Sequence, residues 1–464
     1  MYRIILNHIK NKYEYEELIK LFLKPSEYRL FGQDELNISN FSKDDIVIEI
    51  PEILTNTKDE NPKNQLKRTI FDELKKHTGL TPDWGILTGV RPVKLTGELL
   101  SKEGTIKKVR STLIDNYFLN PEKADMLLEL YENQERVIRP SPTNEVGIYI
   151  GIPFCPTRCL YCSFTSNQGN EVQIKTYLEA LHKEIDYVAA QMKGKEWCPE
   201  TIYVGGGTPT TISAEALKEL LFKVNDSFNL SKLKEFTLEA GRPDTITREK
   251  LQVIKEGCVD RISINPQSMK AHTLELIGRS HKPEDIIEAF GMAKDVGIPF
   301  INADVIAGLP DEDEEDFAQT LRTLINLEPQ NITVHTLALK RASRLKEIDS
   351  DYNYRQGRKV KEMLSISRDL LSKSDYHPYY LYRQKQMIGN FENVGYAKPN
   401  TDGIYNMRIM EERQTIIALG AGGISKVYFP EENRLERVAN VSNYQIYVER
   451  LDEMLKRKED NLGG

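Results

Sequence analysis

No window of this 464-residue chain approaches the roughly 20 consecutive apolar residues that span a bilayer. The N-terminal segment MYRIILNHIKNKYEYEELIK also lacks an apolar core bounded by a cleavage site. Both absences argue against stable membrane insertion and secretion, so the chain is expected to be cytoplasmic. Basic clusters are scarce too: Lys plus Arg number 63 against 70 Asp plus Glu, a net charge of -7. No segment gathers cations into a stripe that would follow a phosphate backbone, which argues against nucleic acid as a partner. Cysteine is limited to five residues, an odd number that does not suit a disulfide framework. Internal repeats and low-complexity tracts are missing. What is present is an ordinary apolar fraction of 39% in a chain long enough for two or three domains.

From about Val146 the sequence alternates short β-branched runs with amphipathic stretches, the pattern of βα units around a parallel sheet. Six strands are predicted, at 146–152, 201–204, 235–238, 261–264, 300–306 and 331–337. Helices are predicted between them at 173–191, 214–224, 248–256, 283–295 and 315–325, with Gly257 and Gly297 as C-caps. Six units fall short of the eight of a closed barrel, so the expected fold is α/β, an open, partial (β/α)6 TIM-like barrel. Reactive groups in such a barrel gather at the C-terminal ends of the strands. Residues 1–140 read as a separate α+β domain: MYRIIL and DIVIEI as strands, 65–77 as a helix, and a further helix starting at Asn120-Pro121-Glu122. The boundary is placed at the turn-rich Arg139-Pro140-Ser141-Pro142. The barrel is assigned to 141–340, and 341–464 to a C-terminal α+β extension with a helix at 354–372, an aromatic cluster and a glycine-rich segment at 419–424.

Three of the five cysteines crowd into GIYIGIPFCPTRCLYCSF, where Cys155, Cys159 and Cys162 have CxxxCxxC spacing directly after the first barrel strand. A structural zinc site wants four ligands, and no fourth Cys or His lies nearby, His182 being on the following helix. Three packed structural thiols are the plain alternative. Spacing and placement favour a [4Fe-4S] cluster, because three thiolates leave one iron open to the amino and carboxylate groups of S-adenosylmethionine (SAM). A second signal, Gly205-Gly206-Gly207-Thr208-Pro209, ends the second strand. A glycine turn alone is only a tight loop, but one strand after the thiols it faces the same cavity and lets the backbone approach a ligand.

With those residues in view, the chain resembles the radical SAM family, and within it the oxygen-independent coproporphyrinogen III oxidase (dehydrogenase) family. The likeness runs from Tyr149 to the C-terminal glycine segment. Its YxxIPFC opening is Tyr149 to Cys155, with Tyr161 inside the CxYC pattern, and its GGGTP is Gly205 to Pro209. Then follow Glu239 in FTLEA, RxSxxxQ from Arg261 to Gln267, Arg279, and DxxxGLP from Asp304 to Pro310. The resemblance implies a radical SAM barrel, with Tyr149, Tyr161, Gly205, Gly206, Gly207, Thr208, Glu239, Gln267, Arg279 and Asp304 around SAM and a second SAM possible beside the first. The residues argue the same way: Glu239, Gln267 and Asp304 stand at the C-terminal halves of their strands, where carboxylates and an amide suit a sulfonium and ribose hydroxyls. Taken singly, each could equally cap a loop. LTGVRPVKL at 87–95, GNFENVGYAKP from Gly389 and EERQTIIALGAG from Glu411 narrow the likeness to the HemZ-type subgroup. Two positions depart from the coproporphyrinogen dehydrogenases: Phe164 stands where they carry a further Cys, and Gly151 where they carry a His.

The family likeness implies oxidative decarboxylation of coproporphyrinogen III propionates to vinyl groups, with a tetrapyrrole substrate and a flavodoxin- or ferredoxin-type electron donor. Two alternatives stand beside it: a haem chaperone of the same superfamily, and an anaerobic haem-modifying or haem-degrading enzyme. Lys340, Arg341, Arg344 and Arg383 follow the sixth strand and the aromatic cluster, and Arg341 and Arg344 are assigned to the substrate carboxylates, with solvated surface charge as the alternative. Cys198 and Cys258 are expected to be packed, inert thiols.

Overall fold

The computed structural model describes residues 1–6, 13–32, 42, 44–50, 61–138, 142–162, 167–339, 345, 349, 352 and 356–462. They form two compact units, Met1–Tyr131 with Gly389–Phe391, and Glu132–Ile388 with Glu392–Gly464. Among the described residues no helix is long and apolar enough to cross a membrane.

The first unit runs β1 (Tyr2–Leu6), α1 (Tyr13–Ile19), β2 (Tyr28–Gly32), β3 (Ile46–Ile50), α2 (Pro62–Thr78), α3 (Pro92–Glu103) and α4 (Ile106–Asp115), followed by the start of α5 (Pro121–Val137). Central β1 pairs in parallel with β2 and β3. Ile4, Leu6, Ile48 and Ile50 bury one face of this sheet with Leu18, Ile70, Phe71 and Leu74. The cap read from sequence at Asn120 is present, its Oδ1 accepting from the Glu122 amide at 3.0 Å, whereas α2 starts earlier than the expected residue 65, with Asn61 Oδ1 accepting from the Lys63 amide at 3.1 Å.

The second unit contains β4 (Glu145–Ile152), α6 (Glu171–Gly194), β5 (Cys198–Gly206), α7 (Ala214–Ser227), β6 (Glu235–Gly241), α8 (Arg248–Glu256), β7 (Arg261–Gln267), α9 (Ala271–Leu276), α10 (Pro283–Val296), β8 (Phe300–Ala307), α11 (Glu314–Asn326) and β9 (Asn331–Thr336). Strands β4 to β9 lie side by side in chain order, all parallel, as the partial (β/α)6 reading expects. After them come α12 (Gly357–Ser372), β10 (His377–Tyr382), β11 (Asn393–Ala397), α13 (Ile404–Glu411), β12 (Ile416–Leu419), β13 (Ile424–Phe429), β14 (Arg434–Ala439), α14 (Tyr444–Glu449) and α15 (Leu451–Leu462). These late strands extend the same sheet at both ends, giving eleven strands in the order β10-β11-β9-β8-β7-β6-β5-β4-β12-β13-β14. The aromatic cluster read from sequence is β10, whose Tyr379 and Tyr380 are buried.

Two strands run beyond their apolar cores. β6 continues to Gly241 and β7 to Gln267, and of the residues added there Glu239, Gly241, Asn265 and Gln267 line the interior, where they have no need to be apolar. Gly257 does cap α8, but its φ is -76° and the left-handed residue is Cys258 at +59°. Cys258 is exposed and Cys198 half-buried, so neither is a core thiol, and Cys258 least of all. The Arg139-Pro140-Ser141-Pro142 boundary falls almost wholly outside the described residues, as do Phe164, Lys340, Arg341 and Arg344.

Two buried charge networks fix the C-terminal segments against the barrel. Glu235 at the start of β6 accepts from the Ile404 amide at 2.7 Å and the Tyr405 amide at 3.4 Å, capping α13. Arg408 forks onto Glu200 of β5 at 2.8 and 3.0 Å. Tyr405 stacks on Tyr203 with ring centroids 4.5 Å apart, which puts α13 beneath the barrel interior. On the outer side, fully buried Glu184 of α6 accepts from Tyr447 Oη at 2.6 Å, the Gly420 amide at 2.7 Å and Asn440 Nδ2 at 2.9 Å, and pairs with Lys458 Nζ at 2.7 Å. Two turns earlier on α6 packs Tyr177, whose hydroxyl donates to Gly151 O at 2.5 Å and accepts from the Ala421 amide at 3.1 Å. Removing one partner of a buried pair strands the other charge, so Lys458→Ala should cost about 3–5 kcal/mol of stability, and Tyr447→Phe about 1–2 kcal/mol. Urea unfolding of the purified variants reads both, and a Lys458→Ala protein as stable as the parent would show that the pair carries no such weight.

Candidate functional site

A cavity of about 370 Å³ opens at the C-terminal ends of the parallel strands. Its first wall is the loop after β4. Cys155, Cys159 and Cys162 all line it, the middle thiol buried and the outer two half-buried. The loop is held by backbone hydrogen bonds at both ends: Cys155 N donates to Asn167 O at 3.0 Å, Cys162 N to Cys159 O at 3.1 Å, and Leu160 N to Ile277 O at 2.9 Å. Burial pushes the Cys155 thiol up in pKa, against the Thr208 hydroxyl 3.5 Å from its sulfur. Among the described residues no three His, Cys, Asp or Glu side chains approach closely enough to hold a single metal ion.

The glycine turn packs directly on this loop. Gly207 N donates to Ile152 O at 2.8 Å and Thr208 N to Phe154 O at 2.7 Å. A Cβ at Gly207 would lie 2.5 Å from Phe154 O and 3.0 Å from Cys155 Sγ, and at Gly206, where φ is +114°, 3.0 Å from Ile152 O. No side chain fits there. Gly205 does not line the cavity; its missing Cβ leaves room for the Glu239 carboxyl, which a Cβ would approach to 3.0 Å. Tyr149 is also outside the lining, stacked on Tyr203 with centroids 6.2 Å apart. Gly151 lies under the C-terminal glycine segment, where a Cβ would be 3.5 Å from the carbonyls of Leu419 and Ala421, in ordinary van der Waals contact.

Of the remaining residues read from sequence, Tyr161, Gly206, Gly207, Thr208, Glu239, Gln267, Arg279 and Asp304 all line the cavity. Arg279 donates to Tyr161 Oη at 3.0 Å and Asn265 O at 2.8 Å. Gln267 adopts φ +67°, an uncommon conformation for a residue with a side chain, and turns the chain where the β7–β8 register breaks. Arg341 and Arg344 lie outside the described residues, and buried Arg383 does not face the cavity.

Several lining groups went unread in the sequence: Tyr203, Arg242, Asn265, Asn302, His335 and Tyr382. Their signal is polar residues at every second position inside apolar strands, as in Asn302–Asp304 and Thr333–His335, since alternate residues of a strand share a face. They organise the carboxylates. Tyr203 Oη donates to Glu239 Oε1 at 2.6 Å. Asn302 Nδ2 donates to Asp304 Oδ1 at 2.7 Å, His335 Nε2 stands 3.6 Å from Asp304 Oδ2, and Tyr382 Oη lies 3.3 Å from His335 Nδ1. The two acids consequently differ. Burial pushes Glu239 up to about 7, with the Asp304 charge adding to the rise and the Tyr203 hydroxyl opposing it. Burial would also raise Asp304, but His335 first, then Asn302 and Thr333, hold it below the usual carboxylate range.

Three buried polar atoms around this wall have no hydrogen-bond partner among the described residues: Asn265 Oδ1, Gln267 Oε1 and Arg279 Nε. Two acceptors and a cationic donor beside a side-chain-free backbone cradle fit a ligand that carries amino, carboxylate and hydroxyl groups.

The Glu239 shift has a measurable sign. A carboxyl raised in the folded state keeps its proton there while the unfolded chain loses it, so folding stability falls as pH rises from about 4.5 to about 7. Relative to Glu239→Gln, the parent should lose about 2 kcal/mol between pH 5 and 8, the shift being discounted for partial exposure to the cavity. Urea midpoints at the two pH values test it, and a pH-independent difference would mean that Glu239 titrates normally.

Residues 149–324 match the Radical SAM superfamily. Over 401 residues the chain is 39% identical to the oxygen-independent coproporphyrinogen-III oxidase-like protein HemZ of Bacillus subtilis, covering 85% of this chain and 80% of that one. It is also 35% identical over 193 residues to the heme chaperone HemW of Bacillus subtilis, covering 41% of this chain and 50% of that one. With the HemW of Escherichia coli it shares 30% over 295 residues, covering 62% and 71%. Among solved structures, the Escherichia coli coproporphyrinogen III oxidase HemN, a radical SAM enzyme, superposes with a TM-score of 0.55 at 22% identity over 70% of this chain and 73% of that one, a likeness of fold. The thiol loop, glycine cradle and acid pair thus sit in a chain that belongs to the radical SAM superfamily, which uses a [4Fe-4S] cluster and SAM, and within it to the oxygen-independent coproporphyrinogen III oxidase family in its HemZ-type subgroup.

Proposed function

We propose that this protein oxidatively decarboxylates propionate side chains of coproporphyrinogen III to vinyl groups, giving protoporphyrinogen IX without oxygen. The observation that carries the reading is a single cavity with two unlike walls. Thiols, glycine turn and acids form one; Tyr380, Tyr382, Gln384 and Asn393 of β10, β11 and the segment between them form the other, with aromatic rings and hydrogen-bonding groups suited to a macrocycle. Cluster and SAM together supply a 5′-deoxyadenosyl radical, so each propionate gives up a hydrogen atom, then carbon dioxide and one electron.

In this reading Cys155, Cys159 and Cys162 hold the cluster, and Thr208 and the amides of the glycine turn border it. Ionised Asp304 and the Glu239–Tyr203 pair face the SAM sulfonium and ribose, and the unpartnered atoms of Asn265, Gln267 and Arg279 receive its polar groups. Residues 1–140, 141–340 and 341–464 are proposed as an accessory domain, a cofactor-binding barrel and a substrate-covering region. Arg341 and Arg344 are proposed to hold the substrate carboxylates. The electron donor is proposed to be of the flavodoxin or ferredoxin type.

A second reading, a haem carrier that does not turn over a porphyrinogen, is favoured by the similarity to the HemW chaperones. One anaerobic experiment separates the two: reconstituted protein receives SAM, dithionite and carboxyl-labelled coproporphyrinogen III. The enzyme releases labelled carbon dioxide and deoxyadenosine together; a carrier releases neither in response to the porphyrinogen and binds haem unchanged. In the same assay Ala at any of the three thiols should remove the cluster absorbance and SAM cleavage, whereas Ala at Cys198 or Cys258 should leave both. Arg341→Ala and Arg344→Ala should each raise the apparent KM about 10-fold, roughly 1.4 kcal/mol for a lost charge-assisted contact. A Cys162→Ala protein that cleaves SAM at the parent rate would refute the ligand assignment.

A further inference from the structure

Arg242 directly follows β6, and its side chain is buried against the cavity although it carries a full charge. Three groups fix its orientation. Nε and Nη2 fork onto the two carboxylate oxygens of Asp244 at 2.9 and 2.8 Å. Nη2 also donates to Ser280 Oγ at 2.9 Å, and that hydroxyl donates to Asp244 Oδ2 at 2.8 Å. With the fork occupied, Nη1 is aimed at Thr157, whose hydroxyl accepts at 2.6 Å and whose carbonyl accepts at 3.4 Å. Thr157 stands between Cys155 and Cys159.

We infer that Arg242 is a positioning residue that clasps the first half of the thiol loop through Thr157, holding Cys155 and Cys159 in register for the cluster and placing a fixed positive charge beside it. The inference rests on the reading that the three thiols hold the cluster. The second half of the loop has its own anchor, the Arg279 bond to Tyr161 between Cys159 and Cys162. Two guanidiniums reaching in from the loops after β6 and α9 thus secure both spans of the CxxxCxxC turn. Thr157 is exposed to solvent, and the Arg242 bonds join the Gln168 Nε2 bond to Pro156 O at 2.9 Å in holding the first span. A planar fork is suited to the task, since two of its edges can be immobilised by Asp244 while a third points elsewhere. Its charge also favours the electron added on cluster reduction, so its loss should make reduction harder.

The test uses the full-length reconstituted protein, with iron release to a chelator under anaerobic conditions and the cluster midpoint potential as readouts. Arg242→Gln should release iron about 10-fold faster, the effect of losing one charge-assisted hydrogen bond, and its midpoint should move negative. Arg242→Lys keeps the charge but not the fork, so its midpoint should stay near that of the parent while iron release stays fast. Thr157→Val removes the acceptor hydroxyl with every charge in place and should speed release without moving the midpoint; it also decides the matter if Arg242→Gln fails to fold. Parent-like release from both Arg242→Gln and Thr157→Val overturns the clasp. A parent protein that takes up no cluster would overturn the ligand reading instead.

Discussion

Everything in this site depends on two stretches of backbone touching with no side chain between them. The end of β5 lies on the start of the thiol loop through the Gly207–Ile152 and Thr208–Phe154 hydrogen bonds, at distances that a Cβ on Gly207 would forbid. That contact sets the height of Cys155 above the sheet, and the Thr208 hydroxyl meets its sulfur as a result. The same absence of side chains at Gly205 opens the space taken by Glu239. A substitution in this triplet would push apart two strand ends whose own pairing, Gly151 with Gly205 and Ile152 with Gly206, is part of the barrel.

Around that contact the charges are sorted by depth. Asp304 keeps its negative charge because a histidine and two neutral donors face it, while buried Glu239, bonded by the Tyr203 phenol and beside the Asp304 charge, holds its proton to higher pH. The guanidiniums of Arg242 and Arg279 stay near the thiol loop, and the lining groups of β10 and β11 are uncharged. The cavity therefore has a cationic rim supplied by the loops after β6 and α9, while strand register places the acids, Asp304 opposite Thr333 and Glu239 opposite Ser263.

The barrel was legible because its strands are buried on both faces, so each reads as an apolar run between helices of amphipathic period. Cys155, Cys159 and Cys162 were legible from spacing, and Glu239, Gln267 and Asp304 from motif likeness. Asn302 and His335 were not, because a polar residue at every second strand position looks like an interruption until the inward face is known, and Arg242 was not, because it stands in the loop after β6. The five added strands were missed for a related reason. β12 offers only four residues, and β10 and β11 earn their place through pairing with β9, which no local pattern announces.

The Glu184–Lys458 pair has a consequence for the order in which the protein comes into being. Tyr177 and the 419–421 turn, which support Gly151 at the root of the thiol loop, belong to the layer that Glu184 and α15 lock in place. During translation the three cysteines emerge about 300 residues before Lys458, roughly 15–60 s at ordinary rates of synthesis. Through that interval the loop exists without its final buttress, and a metal centre acquired then would rest on an unfinished foundation. The support beneath the loop is assembled only once Lys458 has been made and has met Glu184, two residues far apart in the chain and outside the cavity lining.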